Sequence, residues 1–110
     1  MAPFPELFRR LPEADVSIPG VNVRLLQGPT ACAIFWEATK DTAVPEHVHG
    51  PQWGVVLDGV IELTVGSEIR TCRKGDEYFI PEGVPHSARL KAGARVIDVF
   101  DDPNRYRPKA

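Results

Sequence analysis

Short runs of apolar and β-branched residues, separated by turns rich in glycine and proline, occupy most of the chain between Val21 and Phe100. Runs of this kind at regular spacing are typical of β-strands, and no helix is long enough to cross between parallel strands. We therefore predict an all-β fold of eight or nine short strands, arranged as an antiparallel sandwich or closed barrel. The predicted strands are Val21–Leu26, Ala31–Thr39, Trp53–Leu57, Val60–Val65, Glu68–Arg73, Tyr78–Ile80, Val84–Leu90 and Ala94–Phe100.

The turns between these runs carry clear local signals. Asp58-Gly59 is a two-residue sequence that favours a type I′ hairpin between its flanking runs, and Gly66-Ser67 predicts a second tight turn. The chain has 11 prolines and 9 glycines among its 110 residues, a content that suits short elements and many turns.

A chain of 110 residues has room for one domain with one core. We predict a single domain over residues 1–110, with a barrel core at about 21–100, an N-terminal arm at 1–20 and a polar, loosely held tail at 101–110. In the arm, apolar residues recur at helical spacing from Phe4 to Leu11. They predict a short helix or turn that packs on the barrel or on a partner.

The charge balance and the cysteines exclude several classes of protein. A net charge of −2 argues against binding to nucleic acid through phosphate contacts, and no apolar run approaches the roughly 20 residues that cross a bilayer. The segment 1–6 lacks the pattern of a signal peptide, so we expect a cytoplasmic protein. Cys32 and Cys72 have neither disulfide nor metal spacing and are predicted as reduced strand residues.

The histidines provide the main functional signal. His47 and His49 are two positions apart, and in a strand such residues point to the same face. His86 follows a Pro-containing turn at the start of another predicted strand. Neutral imidazole is a common metal ligand, so the three residues can form one metal site. The spacing alone also fits three unrelated histidines.

Two motifs separate these alternatives. Gly75, Pro81, Gly83 and His86 fill, without a gap, the pattern of a Gly, five residues, a Pro, one residue, a Gly, two residues and a His. Upstream, His47, His49 and Gly59 match an H-x-H…G pattern. In both respects the chain resembles the cupin superfamily, over about residues 31–100.

The resemblance implies a fold, a ligand set and a cofactor. It implies a double-stranded β-helix, or jelly-roll barrel, with His47, His49, Gln52 and His86 around one divalent transition metal ion (Zn, Mn, Fe, Co, Ni or Cu). Gln52 stands where the family usually has glutamate, although one residue fewer than usual separates it from His49. Some similar cupins, including sugar-acid enzymes of pectin breakdown, have glutamine there.

A neutral amide at position 52 has a chemical consequence. Three imidazoles and an amide leave the double positive charge of the metal uncompensated, which favours an anionic small-molecule ligand. We expect Gln52→Glu to bind metal more tightly and the anion more weakly. The resemblance therefore implies a metal-dependent enzyme acting on a small organic acid or sugar-derived substrate, by isomerisation, ring opening or dioxygenation. The alternative is a non-catalytic metal-binding, metabolite-binding or sensor module.

Three further residues are candidates for function. Tyr78 and Asp98 are polar groups in otherwise apolar strands. They fit acid/base work, and equally edge exposure or a hydrogen bond inside the core. Trp53 points away from Gln52 on the same strand, on a face that is also apolar. Because cupins of this size are commonly dimers, we interpret Trp53 as part of a homodimer interface, with a substrate platform or core packing as alternatives.

Overall fold

The computed structural model describes residues 4–109, and it is almost entirely β-structure. Met1–Pro3 and Ala110, which the predicted arm and tail include, lie outside the described residues. One helix, α1 (Glu6–Arg9), precedes the strands. The strands are β1 (Val21–Gln27), β2 (Cys32–Ala38), β3 (Thr42–His47), β4 (Gln52–Asp58), β5 (Val60–Val65), β6 (Glu68–Arg73), β7 (Glu77–Ile80), β8 (His86–Leu90) and β9 (Arg95–Phe100).

The strands form two antiparallel sheets that enclose the core. One sheet has the order β1-β2-β9-β4-β7 and the other β3-β8-β5-β6. Consecutive strands repeatedly alternate between the sheets, as in a double-stranded β-helix, so the predicted all-β jelly-roll barrel is confirmed. The strand missing from the prediction is β3, whose Pro45 and exposed side chains hide its strand pattern.

Buried side chains form two clusters. The larger joins both sheets, with Val56 and Val96 from one sheet packed with Leu63 and Leu90 from the other. The smaller lies under β1 and β2 and includes Ala14 from the arm. Cys32 and Cys72 are free, buried strand residues that lie in different clusters, as the prediction of reduced cysteines requires.

The β4 strand alternates as predicted. Gln52, Gly54 and Val56 are buried and face the interior, whereas Trp53 on the opposite face is 37% exposed. This alternation sets the position of Gln52 inside the barrel.

The predicted hairpin at Asp58-Gly59 is wrong. The strand before it, β4, belongs to the five-stranded sheet, and the strand after it, β5, belongs to the four-stranded sheet. Gly59 has a φ of +76°, and a Cβ there would lie 2.7 Å from the Ala94 Cα. The turn is therefore a tight crossing between sheets, which needs glycine as much as a hairpin does. The Gly66-Ser67 turn does form a hairpin, with Val65 paired to Glu68.

The arm packs on the barrel as predicted. Phe4 and Phe8 flank Phe35 of β2, with ring centroids 5.8 and 4.7 Å away. Helix α1 is a single turn, and within residues 4–109 no helix has the length and apolar character needed to cross a membrane.

The expectation of a loosely held tail is wrong. The Lys109 amide donates to the Glu13 carbonyl at 2.8 Å, so the tail pairs with the arm. Tyr106 is half-buried, and its ring packs against Phe100 with centroids 5.4 Å apart. The Tyr106 side chain and the backbone pairing with the arm hold the tail in place. Neither contact can be predicted from the polar composition of the tail.

Candidate metal centre

Two of the histidines come from directly paired strand ends. His47 is the last residue of β3 and is paired with His86, the first residue of β8. His49 lies two residues beyond the end of β3, so the prediction that one strand carries the H-x-H pair is correct for His47 only. The register of β3 against β8 shifts between Val44 and His47, as at a β-bulge, just before the last pair, His47 with His86.

The backbone nevertheless brings all three imidazoles together. One nitrogen from each of His47, His49 and His86 lies within 4.8 Å of the others. Ring centroids are 4.2 Å apart for His47 and His86 and 4.6 Å for His49 and His86. The grouping predicted from spacing and resemblance is present, and its dimensions allow one metal ion to be held.

Backbone carbonyls set the tautomer of each ring. The Nδ1 atoms lie 2.7 Å from Pro45 O for His47, 2.7 Å from Gly50 O for His49 and 2.9 Å from Val84 O for His86. A carbonyl only accepts, so each Nδ1 carries the proton and donates it. The Nε2 atoms are left with free lone pairs, which is the arrangement usual for metal-bound histidine.

The free lone pairs meet at close range. Nε2 of His49 lies 3.0 Å from Nε2 of His86. With both protons on Nδ1, two acceptors face each other, and their repulsion is relieved only by a positive charge between or beside them. The donor set therefore fits a cation.

Burial keeps two of the rings neutral. Desolvation lowers the pKa of His49 to about 4, and the nearby charge of Arg105 adds to this effect. Desolvation also lowers the pKa of His86. Since only neutral imidazole binds a metal, His49 and His86 are in the ligand form at neutral pH.

Gln52 lies in the same cavity, at the start of β4. The cavity is lined by His47, Gln52 and His86 together with Asp98. The Gln52 side chain is 8% exposed, and its Oε1 has no hydrogen-bond partner among the described residues. A buried amide oxygen without a donor is costly, and a metal ion beside it would remove that cost.

Tyr78 and Asp98 form a buried hydrogen-bonded pair. The Tyr78 hydroxyl donates to Asp98 Oδ1 at 2.5 Å, and the Trp36 indole N–H donates to Oδ2 at 2.8 Å. Burial raises the pKa of Asp98 to about 6 and that of Tyr78 well above its usual value. Of the alternatives for these residues, the hydrogen bond inside the core is the one observed.

Gly54 makes the Tyr78–Asp98 contact sterically feasible. In the sheet, Gly54 is paired with Tyr78 on one side and with Asp98 on the other. A Cβ at Gly54 would lie 2.2 Å from Tyr78 Cζ and 2.3 Å from Asp98 Oδ1. The two side chains thus meet over the space that a side chain at position 54 would occupy.

Arg105 is a candidate that the sequence did not reveal. Its guanidinium lies 4.5 Å from the Tyr106 ring centroid and 5.7 Å from that of Phe100. Its Nε is buried without a hydrogen-bond partner in the described part of the chain. Its positive charge also lowers the pKa of His49 and His86. The signal was hidden because Arg105 is one basic residue in a polar tail.

Comparison with known proteins identifies relatives of this chain and its fold. The family model of the cupin domain, Cupin_2, matches residues 35–100. Quercetin 2,3-dioxygenase of Bacillus subtilis (strain 168) is 42% identical over 55 residues, or 48% of this chain. The chain spans only 16% of that protein.

Solved structures match over most of the chain. KdgF from Halomonas sp. is 26% identical with a TM-score of 0.74, and the match covers 84% of this chain and 87% of KdgF. An RmlC-like cupin from Shewanella frigidimarina is also 26% identical, with a TM-score of 0.75 and 86% of both chains covered.

Proposed function

The chain belongs to the cupin domain family, and on that basis we propose that it is a metal-dependent cupin acting on a small anionic molecule. The single observation that carries the proposal is the convergence of three imidazoles whose Nε2 atoms are free. We infer that His47, His49, His86 and Gln52 hold one divalent transition metal ion (Zn, Mn, Fe, Co, Ni or Cu).

The charges around the site favour an anionic ligand. No ligand of the inferred set is negative, so the bound ion would keep most of its charge toward the cavity. Arg105 adds a second positive charge, and its buried Nε has no acceptor among residues 4–109. A carboxylate would satisfy that N–H and neutralise part of the local charge.

The proposed activity is the conversion of a small organic acid or sugar-derived substrate. When bound, a divalent ion polarises a substrate oxygen as a Lewis acid. The chain would then contribute orientation, with Arg105 fixing a carboxylate and the rings of Phe100 and Tyr106 lining its position. Isomerisation, ring opening and dioxygenation all begin from a substrate held in this way.

A non-catalytic binding module is the second candidate. One observation favours it: Tyr78 and Asp98, the predicted acid/base residues, are hydrogen-bonded to each other rather than free. A metabolite held without turnover would need only the histidines, Gln52 and Arg105.

We also propose a cytoplasmic homodimer. An outer apolar row, Leu26–Ala33–Val99–Trp53–Phe79, crosses all five strands of the larger sheet in paired register. Leu26 is 50% exposed and Phe79 61% exposed. An exposed apolar strip of this kind is typical of an interaction surface, and a two-fold pairing would bury it against its own copy.

A combined binding and turnover screen tests the proposal. Protein loaded with each of the six metals would be incubated with unsaturated uronates, small carboxylates and β-diketones, and products followed by mass spectrometry. Metal-dependent turnover that is lost in His49→Ala supports the enzyme. Tight binding without turnover supports the second candidate, and neither binding nor turnover contradicts both.

A further inference from the structure

We propose that Tyr106 limits the size of the ligand that reaches the metal, so that the site selects short-chain carboxylates over sugar acids. This role rests on the proposed metal site and narrows the class of its ligand. Tyr106 lies in the tail, beyond the end of β9. Its side chain nevertheless lines the cavity that contains the candidate metal ligands.

The cavity beside the histidines is small. Three of the four residues inferred to hold the metal line it, namely His47, Gln52 and His86, so an ion held by them would face the cavity. The cavity volume is about 30 Å³. That is room for about one or two water molecules, whereas pockets that enclose larger organic ligands measure about 300–1,000 Å³. A carboxylate group with a short carbon chain fits this space, and a six-carbon sugar acid does not.

Tyr106 closes one wall of the cavity. Its side chain also packs against the smaller buried cluster, so it lies between that cluster and the cavity. Its ring contacts Phe100, with centroids 5.4 Å apart, and the Phe100 ring lies 5.3 Å from that of His49. The two aromatic rings therefore form a continuous surface that extends from the tail to the metal centre.

Tyr106 differs from the other residues that line the cavity. Among residues 4–109, it is the one lining residue that lies outside the strands. The others, such as Leu63 on β5 and Ile80 on β7, are held in paired strands of the two sheets. A close-packed wall of paired strands resists displacement, so the space left for a ligand depends on the side chain that the tail places at position 106.

Hydrogen bonds on both sides of Tyr106 hold the tail in place. The Asp15 amide donates to the Arg107 carbonyl at 2.8 Å. The side-chain amide of Gln27, at the end of β1, donates to the Pro103 carbonyl at 2.9 Å. The ring cannot leave the cavity wall with its backbone unless these contacts break. A ligand must therefore fit the space that the ring leaves.

A chain-length series on the Co(II)-loaded protein tests the proposal. Formate, acetate, propionate, butyrate and galacturonate would be titrated in turn, and binding followed by the change in the visible Co(II) spectrum. For the wild type, we expect butyrate to bind at least about tenfold more weakly than acetate, because one methylene too many in a closed pocket already costs about that factor. Galacturonate should not bind.

Variants at position 106 assign the selectivity to the ring. Tyr106→Ala removes the wall and should reduce the discrimination between acetate and butyrate about tenfold, while the affinity for acetate changes little. Tyr106→Phe retains the ring and should restore the discrimination. Lys109→Ala, at an exposed position in the same tail, is the control for a change that does not touch the cavity. Tyr106→Leu, with a smaller apolar side chain, takes the place of Tyr106→Ala if the alanine variant does not fold.

The results for Tyr106, for the ligand and for the metal can be told apart. Equal affinities for acetate and butyrate in the wild type, or equal discrimination in the wild type and the smaller variants, overturn the role of Tyr106 and leave the anionic ligand in place. No binding of any of the acids by the Co(II)-loaded wild type overturns the proposed anionic ligand. Failure of the wild type to bind Co(II) overturns the metal site. The role of Tyr106 falls in both of these cases.

Discussion

The Nε2 atoms of His49 and His86 lie 3.0 Å apart, although both rings carry their proton on Nδ1. The contact has no proton to share, so two nitrogen lone pairs face each other. Because backbone carbonyls fix the tautomers of His49 and His86, both Nε2 lone pairs are available to bind a cation. A bound cation would remove the repulsion between the two lone pairs and so lower the free energy of the site.

Removing one of the two rings should separate metal binding from folding. We expect His49→Ala to lose at least 100-fold in metal affinity, because one of three imidazoles is gone. Thermal unfolding of the apo variant should occur at the same or a higher temperature than in the wild type, since the lone-pair repulsion is removed. Val48→Ala, at an exposed side chain, is the control for both measurements. A large loss of apo stability in His49→Ala would show that the ring is a packing element instead.

Replacing Gln52 by glutamate should strengthen metal binding through charge. The new carboxylate adds one negative charge beside the ion and lies close to Asp98, so the apo variant should unfold more easily than the wild type. Metal would offset that repulsion, and the metal-induced rise in unfolding temperature should exceed that of the wild type. The affinity for a carboxylate ligand should fall. A variant whose metal affinity and ligand affinity both match the wild type would refute the charge argument.

Arg105 should govern ligand binding and not metal binding. Arg105→Met removes a charged donor while keeping most of the packing on Phe100 and Tyr106. Hydrogen bonds to charged groups are worth about 1.5–3 kcal/mol, so affinity for an anionic ligand should fall about tenfold to 100-fold. Arg107→Met, at an exposed position, should bind the ligand normally in the same calorimetric titration. An unchanged affinity in Arg105→Met would remove this residue from the site.

Gly54 should tolerate no side chain. The added methyl of Gly54→Ala would overlap Tyr78 and Asp98, at a cost of about 1–3 kcal/mol in the free energy of unfolding. Gly50→Ala places its methyl in open space and should cost less. Denaturant unfolding of the two variants measures the difference. Equal stabilities would mean that the Tyr78–Asp98 pair can move aside.

The outer apolar row should be the surface that pairs two copies. Phe79→Asp places a charge within that row and should convert the protein to a monomer in analytical ultracentrifugation. Ile69→Asp changes a similarly exposed apolar residue on the other sheet and should leave the dimer intact. A monomeric wild type, or a dimer that survives Phe79→Asp, would contradict the assignment.

Much of the site could be predicted because its signals are local. The H-x-H pair and the glycine–proline pattern before His86 lie within short segments, so spacing and family resemblance predicted the cluster of three histidines that the structure contains. The role of Gln52 as a ligand stays a prediction. Strand boundaries in the barrel followed from alternation and turn residues, as at Gly66-Ser67.

The remainder depends on contacts between distant segments. Asp58-Gly59 has the composition of a hairpin, but the packing of Gly59 against Ala94 makes it a crossing between sheets. Arg105 lies beside Phe100 because Tyr106 packs on Phe100, a contact that no local pattern encodes. Gly54 likewise matters only because Tyr78 and Asp98 come from its two neighbouring strands.

The most direct test of the metal centre is the number of ions bound per chain. Equilibrium dialysis of the wild type against Mn(II), Co(II), Ni(II) and Zn(II), followed by elemental analysis, should give one equivalent for at least one metal. The variant with His47, His49 and His86 all replaced by alanine should bind none at that site. Equal metal content in the wild type and this variant, with every metal, would contradict the account.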